Sequence, residues 1–234
     1  MSVLLLQLAG PLQSWGAASR YARRTTESAP TKSGVLGLLA AALGRPRTAD
    51  PSDLAALRFG VRVDQPGTRV RDFHTAHHQV SDKAMPVTER FYLADAVFLA
   101  AVEGDRTLIE ELYAAVRAPH FLPFLGRRAC PPARPLDVGL RHDAGLETAL
   151  REHQWLASPW YQRQNARTVP QQLPVLLDST PDDPPGDIVA DQPLSFDPRH
   201  RRYARRSVRH DAVPRPGAAH EVPEHHPMQA LEGD

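Results

Sequence analysis

The chain has 234 residues, 41% of them apolar and 6% aromatic, a composition that fits one large domain or two small ones around a modest core. A lone cysteine, Cys130, excludes a disulfide scaffold and a cysteine-based zinc site, and fits a reducing cytoplasm. The formal net charge of +1 argues against avid binding of free nucleic acid, so the distribution of charge matters more than its sum.

The chain opens directly on Val3-Leu4-Leu5-Leu6-Gln7-Leu8-Ala9, a strand buried along most of its length. No basic leader and no long apolar run precede or follow it, so neither a signal peptide nor a membrane span is expected. Gly10-Pro11 ends the strand. The loop Leu12-Gln13-Ser14-Trp15-Gly16 follows, then the basic stretch Ser19-Arg20-Tyr21-Ala22-Arg23-Arg24. Trp15 and Tyr21 beside Arg20 suit base stacking with phosphate neutralisation, and Trp15 suits the core equally well.

Pro30-Thr31-Lys32-Ser33-Gly34-Val35-Leu36-Gly37-Leu38-Leu39-Ala40-Ala41-Ala42-Leu43-Gly44 reads as a buried helix, apolar on nearly every side from Val35 onward. Thr31 or Ser33 can cap it, and Gly44 suits a left-handed stop. Gly34 and Gly37 lower helix propensity and make sense where another backbone or a ligand comes close. Lys32 and Ser33 stand at the positive end of the helix dipole, where an anion would meet free N–H groups. A nucleotide-binding P-loop is excluded, because its two glycines are replaced here by Thr26 and Thr31.

A short turn or helix begins at Asp50-Pro51-Ser52-Asp53. Leu57-Arg58-Phe59-Gly60-Val61-Arg62-Val63-Asp64 alternates as a strand with one wet face. After the Pro66-Gly67 turn, strands run through 69–74 and 88–93, and the aperiodic stretch between them reads as a protruding hairpin tip. A buried strand follows over 94–102, then a helix over 107–117 with Leu108, Ile109, Leu112 and Val116 facing inward. With the hairpin counted as an insertion, this is the βαββαβ order of a ferredoxin-like (RRM-like) α+β fold whose last strand has no firm place. The region 121–132 supplies a candidate short strand and a Gly turn. Beyond it, a helix is expected over 145–155, a strand over 169–177, a Pro-rich loop at 179–186 and an Arg-studded strand pair over 195–208. The core with its inserted hairpin (about 69–94) thus spans 1–120, an irregular β-rich extension 121–210 and a mobile tail 211–234.

Arginine supplies nearly all the positive charge, since Lys32 and Lys83 are the only lysines. It clusters at Arg20, Arg23 and Arg24, at Arg127 and Arg128, and from Arg199 to Arg209. Its planar fork suits phosphates and its face suits bases.

Several blocks resemble the CasD family of subunits of Cascade, the type I-E CRISPR surveillance complex. They are Leu6-x-Leu8-Ala9-Gly10-Pro11-Leu12-Gln13-Ser14-Trp15-Gly16 and Pro30-Thr31-Lys32-Ser33-Gly34-Val35-x-Gly37-Leu38-Leu39. Thr88-Glu89-Arg90-Phe91-Tyr92-Leu93-x-Asp95-Ala96, Leu125-Gly126-Arg127-Arg128-Ala129-Cys130-Pro131, and Pro193-Leu194-Ser195-Phe196 with Arg202-Tyr203 and Arg206 follow in order. The resemblance implies a RAMP-superfamily fold with a long β-hairpin thumb. It implies a non-catalytic subunit that grips the 5′ handle of the CRISPR RNA, caps the CasC backbone and contacts the large subunit CasA. CasB and CasE would share the complex, CasE would do the cutting, and target DNA would be met only through the assembly.

On that reading Lys32, Ser33 and the backbone of Gly34 hold a phosphate. Gln13 and Ser14 meet base edges or 2′-hydroxyls, and Trp15 and Tyr21 stack. Arg20, Arg127 and Arg128 line the RNA backbone, and His74, His77 and Arg90 complete the contacts around the thumb. The competing class is a metal-independent endoribonuclease processing precursor CRISPR RNA, with His74, His77, His78, Tyr21 and Lys83 as candidate acid and base. No second group is fixed beside that His-x-x-His-His run by spacing, so no catalytic residue is expected. His74 and His78 do not lie on a helix and lack a completing carboxylate, so no metal is expected, and no cofactor motif is present.

Overall fold

The computed structural model describes residues 1–16, 23–164 and 171–217. Its centre is β1 (Ser2–Ala9), buried along its whole length. Alternation sends Leu4, Leu6 and Leu8 to one face and Val3 and Leu5 to the other, and both faces are covered. On the first face lie α1 (Lys32–Ala42) and, after the short α2 (Ser52–Ala55) and strands β4 to β7, α3 (Arg106–Arg117). On the second lies α4 (Leu146–Glu152). Two-residue strands β2 (Leu12–Gln13) and β3 (Arg23–Arg24) flank the first loop.

The main sheet has seven antiparallel strands in the order β10-β11-β9-β4-β7-β1-β8. Here β4 is Arg58–Gln65, β7 Val97–Gly104, β8 Asp137–His142, β9 Gln172–Asp178, β10 Asp187–Ser195 and β11 Arg202–Pro214. A second sheet forms on β6 (Thr88–Ala94). It pairs with β5 (Thr68–His74) along one edge and with β2 and β3 along the other. The β5–β6 ribbon leaves the main sheet between β4 and β7. Gly67 turns the chain into it with φ +71°, where a side chain would strike the Ala94 carbonyl.

Helix α1 is the sequence-expected buried helix. Thr31 caps it by accepting the Gly34 N–H, and Gly44 ends it in the left-handed region. Asp105 caps α3 in the same way, and Ile109, Leu112 and Val116 face the core.

Three expectations are corrected. The missing core strand is β8, which pairs with β1 beyond the expected boundary at 120, whereas 121–132 forms no strand. The extension is not irregular, because β9, β11 and β10 continue the main sheet outward from β4. The tail begins later than 211, since Asp211 to Pro214 pair with β9. Among the described residues, no helix is long and apolar enough to cross a membrane.

The wet face expected for β4 is also dry. Gly60 lies beneath Leu146, Leu150 and Leu177, and Arg62 and Asp64 are 0% and 2% exposed. Arg62 forms a two-pronged pair with Asp64 (2.6 and 2.9 Å) and donates to the carbonyls of Leu150, His153 and Gln154, satisfying the C-terminal end of α4. Asp64 accepts from the Leu156 N–H at 2.7 Å, and its carbonyl accepts from Trp155 Nε1. Burial pushes the Asp64 carboxyl up, with Arg62 opposing. A fork with five donors can close the end of α4 and pair a carboxylate at once, which the alternation of β4 alone cannot reveal.

His153, at the end of that segment, is held down to about 4 by burial and then by the positive charges of Arg62 and Arg141. The unfolded chain therefore binds a proton that the folded one refuses between about pH 6.5 and that value, and stability falls as pH drops through this window. In urea titrations at pH 7 and pH 4.5, the wild type should lose about 2 kcal/mol more than His153→Leu. Parallel losses would show that His153 does not titrate differently in the two states.

Candidate nucleic-acid interface

The front of α1 does receive negative charge, and this chain supplies it. The Lys32 N–H donates to Asp191 Oδ2 of β10 at 2.7 Å, and Lys32 Nζ to Asp178 Oδ2 of β9 at 2.9 Å. Arg206 of β11 completes the group with a fork to Asp191 (2.6 and 2.9 Å) and a third bond to Asp178. Its guanidinium also lies over the Phe59 ring, 5.5 Å from the centroid, and the Phe59 N–H donates to Asp178 at 2.9 Å. Lys32 and Ser33 are 4% and 8% exposed. Burial lowers the Lys32 pKa while Asp178 works to raise it. At Lys32, Ser33 and Gly34, where the sequence suggests an RNA phosphate, two internal carboxylates meet the dipole end and the ammonium.

The reason for Gly34 is also internal. A Cβ there would sit 2.9 Å from both Thr31 Oγ1 and Trp15 Cε3. Trp15 is fully buried, and its Nε1 donates to Gln13 Oε1 at 3.0 Å. Gln13 in turn donates to the carbonyls of Leu8 (3.0 Å) and Ala96 (2.8 Å), which ties the first strand to the β6–β7 junction. Ser14 Oγ donates to the Phe91 carbonyl, the Ser14 N–H to Leu125, and the Trp15 N–H to Thr26 Oγ1. Gln13, Ser14 and Trp15 therefore form a buried junction. All their donors serve the junction, so none is left for a base edge.

That junction presents the arginines of the outer sheet. Residues 125–131 strap across it, and Gly126 (φ +82°) passes so close to Ser14 that a Cβ would overlap its carbonyl. Arg127 leaves this strap. Its Cζ lies 4.7 Å from the Tyr92 ring centroid, and Nη2 donates to the Arg24 carbonyl at 3.0 Å. Arg24 is in register with Arg90 across the parallel β3–β6 pair, so both side chains share the face that carries Tyr92. Two donors on this face, Arg90 Nε and Arg127 Nη1, are buried and have no hydrogen-bond partner among the described residues. Arg128 is exposed next to them. On the opposite face Arg23 covers Phe91 and approaches Glu89 at 3.7 Å, and Arg71 covers Phe73.

Of the residues expected to touch RNA, the structure brings together Arg90 and Arg127, with Arg24 added and Arg128 following Arg127 in the chain. The signal for Arg24 was its place in a basic pair beside an aromatic, which shows a cluster but not a face. Arg20 and Tyr21 lie outside the described residues. His74 is in register with Thr88 and its partner Asp72 with Arg90, so both share the Arg90 face, whereas His77 belongs to the ribbon tip. His74 Nε2 meets Asp72 at 3.0 Å and His77 Nδ1 meets Asp82 at 3.2 Å. His78 Nδ1 accepts from the Ser81 N–H at 3.2 Å, so each imidazole is tied to its own ribbon instead of to one shared centre.

Gly34→Ala should destabilise the fold by about 1–3 kcal/mol in chemical denaturation, since Trp15 has no space to yield. Asp191→Ala should cost more, about 3–5 kcal/mol, by leaving Arg206 and the helix front short of their carboxylate. An unchanged midpoint for either variant would contradict the close approach or the ion-pair group, respectively.

The family model described as "CRISPR-associated protein (Cas_Cas5)" matches residues 3–209. The CRISPR system Cascade subunit CasD of Escherichia coli (strain K12) is 35% identical over 185 residues, covering 70% of this chain and 82% of that protein. A solved structure described as a crystal structure of a Cas protein is 40% identical, with TM-score 0.71 over 91% of this chain and 95% of its own. A chain of a CRISPR RNA-guided surveillance complex is 32% identical, with TM-score 0.71 over 92% of this chain and 91% of its own.

Proposed function

Because the chain belongs to the Cas5 family of CRISPR-associated proteins, we propose that it is a CRISPR RNA-binding subunit of a type I-E Cascade complex, holding the 5′ handle without cutting it. The observation that carries this reading is the pair of buried, unpartnered guanidinium donors of Arg90 and Arg127 on one face beside Arg24 and Tyr92. Buried donors of this kind await an acceptor, and a phosphate offers several. An aromatic ring under one arginine adds a platform of the sort single strands use.

The fold supports the same reading. Strands β1, β4, β7 and β8, with α1 and α3, form a βαββαβ unit in the sheet order fourth, first, third, second. We read this as the ferredoxin-like core of a RAMP protein and the β5–β6 ribbon as its thumb, with His74 and His77 shaping the ribbon through their aspartates. In that arrangement the subunit caps the CasC backbone and contacts CasA. CasB and CasE complete the assembly, and target DNA is reached through the guide. A chain of near-neutral charge suits this role, since partners supply the remainder of the RNA groove.

The test uses the assembled complex. Arg90→Ala combined with Arg127→Ala should lower retention of CRISPR RNA by at least about a hundredfold, given about 1.5–3 kcal/mol for each charged hydrogen bond. Its melting temperature should stay near that of the wild type. Unchanged retention would refute the interface. The purified subunit, mixed with repeat RNA without metal, should leave the RNA intact. Site-specific cleavage that His77→Ala abolishes would establish the nuclease reading instead.

A further inference from the structure

We propose that the turn joining β10 to β11 is a second nucleic-acid contact, gripping the phosphodiester backbone of a single strand. Arg199, His200 and Arg201 are all exposed in this turn, and Arg202 and Arg205 are exposed at the start of β11. Among the described residues none of these four arginines has a carboxylate partner. The one acid in the turn, Asp197, is held by the Arg199 N–H at 2.8 Å.

Arginines with structural roles behave differently. Arg45 pairs with Asp53, Arg58 with Glu103, Arg62 with Asp64, Arg206 with Asp191 and Arg209 with Glu147. Four arginines in seven positions repel one another, and that repulsion is removed by an external polyanion. Tyr203, 37% exposed, shares its face of β11 with Arg205, so a stacking surface lies among the cations. Exposed rings between arginines favour a single strand, whose bases are free to stack, over a duplex, whose bases are not.

The turn is also held firmly enough to present a fixed surface. Arg206 is locked by Asp191 and Asp178. On the other arm, the Phe196 ring lies against α1, 3.7 Å from where a Cβ on Gly37 would be. None of these residues belongs to the Arg24–Arg90–Arg127 face, so the two contacts stand or fall separately.

The experiment measures binding of the full chain to a fluorescent RNA of about 20 nucleotides, a DNA single strand of equal length and the corresponding duplex, over a range of salt. In Arg199→Gln/Arg201→Gln/Arg202→Gln, the slope of log affinity against log salt for single strands should become shallower by about 2, at about 0.7 per lost phosphate contact. Tyr203→Ala should weaken single strands by about tenfold and leave the duplex unchanged. Arg90→Ala/Arg127→Ala should still show the loss when the turn is also altered, which separates this contact from the first. If the triple variant melts lower than the wild type, Arg201→Gln alone should shift the slope by about 0.7. An unchanged slope, no binding by the wild type, or an equal loss for the duplex would overturn the proposal. Loss of a co-purifying Cascade subunit with unaltered RNA affinity would overturn it in favour of a protein contact.

Discussion

Lys32, Arg206, Asp178 and Asp191 form a neutral group of two cations and two carboxylates, nearly closed to water, at the front of α1. Burying four charges is expensive, and the group is stable only because each carboxylate accepts three bonds. Asp191 takes the Lys32 N–H and the fork of Arg206. Asp178 takes the Lys32 ammonium, the Phe59 N–H and the remaining arm of Arg206. The partners come from α1, β4, β9, β10 and β11, so closing the group brings the last third of the chain onto the first. No boundary can be drawn near 120 without exposing an unpaired buried charge.

That closure has a consequence for the opposite end of the first loop. With α1 held in place by its front, Gly34 lets Trp15 rest on the first helical turn, and Trp15 holds Gln13. Gln13 bridges Leu8 and Ala96, and the strap at 125–131 closes over Ser14. Arg127 therefore extends from a rigid base over Tyr92, and Arg90 from a strand paired on both edges. Arg58, Arg62, Arg206 and Arg209 brace the fold through carboxylates, whereas Arg24, Arg90, Arg127 and the arginines of the β10–β11 turn have no carboxylate partner among the described residues. Near-zero net charge conceals this division because the acids are largely consumed in bracing.

Much of the fold was legible in the sequence, because the periods were clean and the punctuation strong. β1, α1, β4, the ribbon and α3 all follow from apolar spacing, Gly44 and Pro66-Gly67. β8 was not legible, since Asp137-Val138-Gly139-Leu140-Arg141-His142 carries only two apolar residues and is recruited by the free edge of β1. The dry second face of β4 escaped for a related reason. Arg62 and Asp64 have the alternation of solvent-facing residues, and only α4, arriving from far downstream, makes them an internal pair.

The candidate site shows the same limit in sharper form. Lys32-Ser33-Gly34 at a helix front states that negative charge belongs there, and this is correct as chemistry. A local motif cannot state whether the charge arrives on a ligand or on the chain itself. The distinguishing information lay far downstream, in Asp178 at the end of an apolar strand and Asp191 within another, positions where an acid is tolerated only if something positive meets it. Read together with Arg206, these acids already account for the cation at the helix front. Arg90 Nε and Arg127 Nη1 are left as buried donors without a hydrogen-bond partner among the described residues. Buried donors without a partner, at Arg90 and Arg127 as at Gln7, Arg209 and Arg215, emerge only from the folded chain and are stated by no local motif.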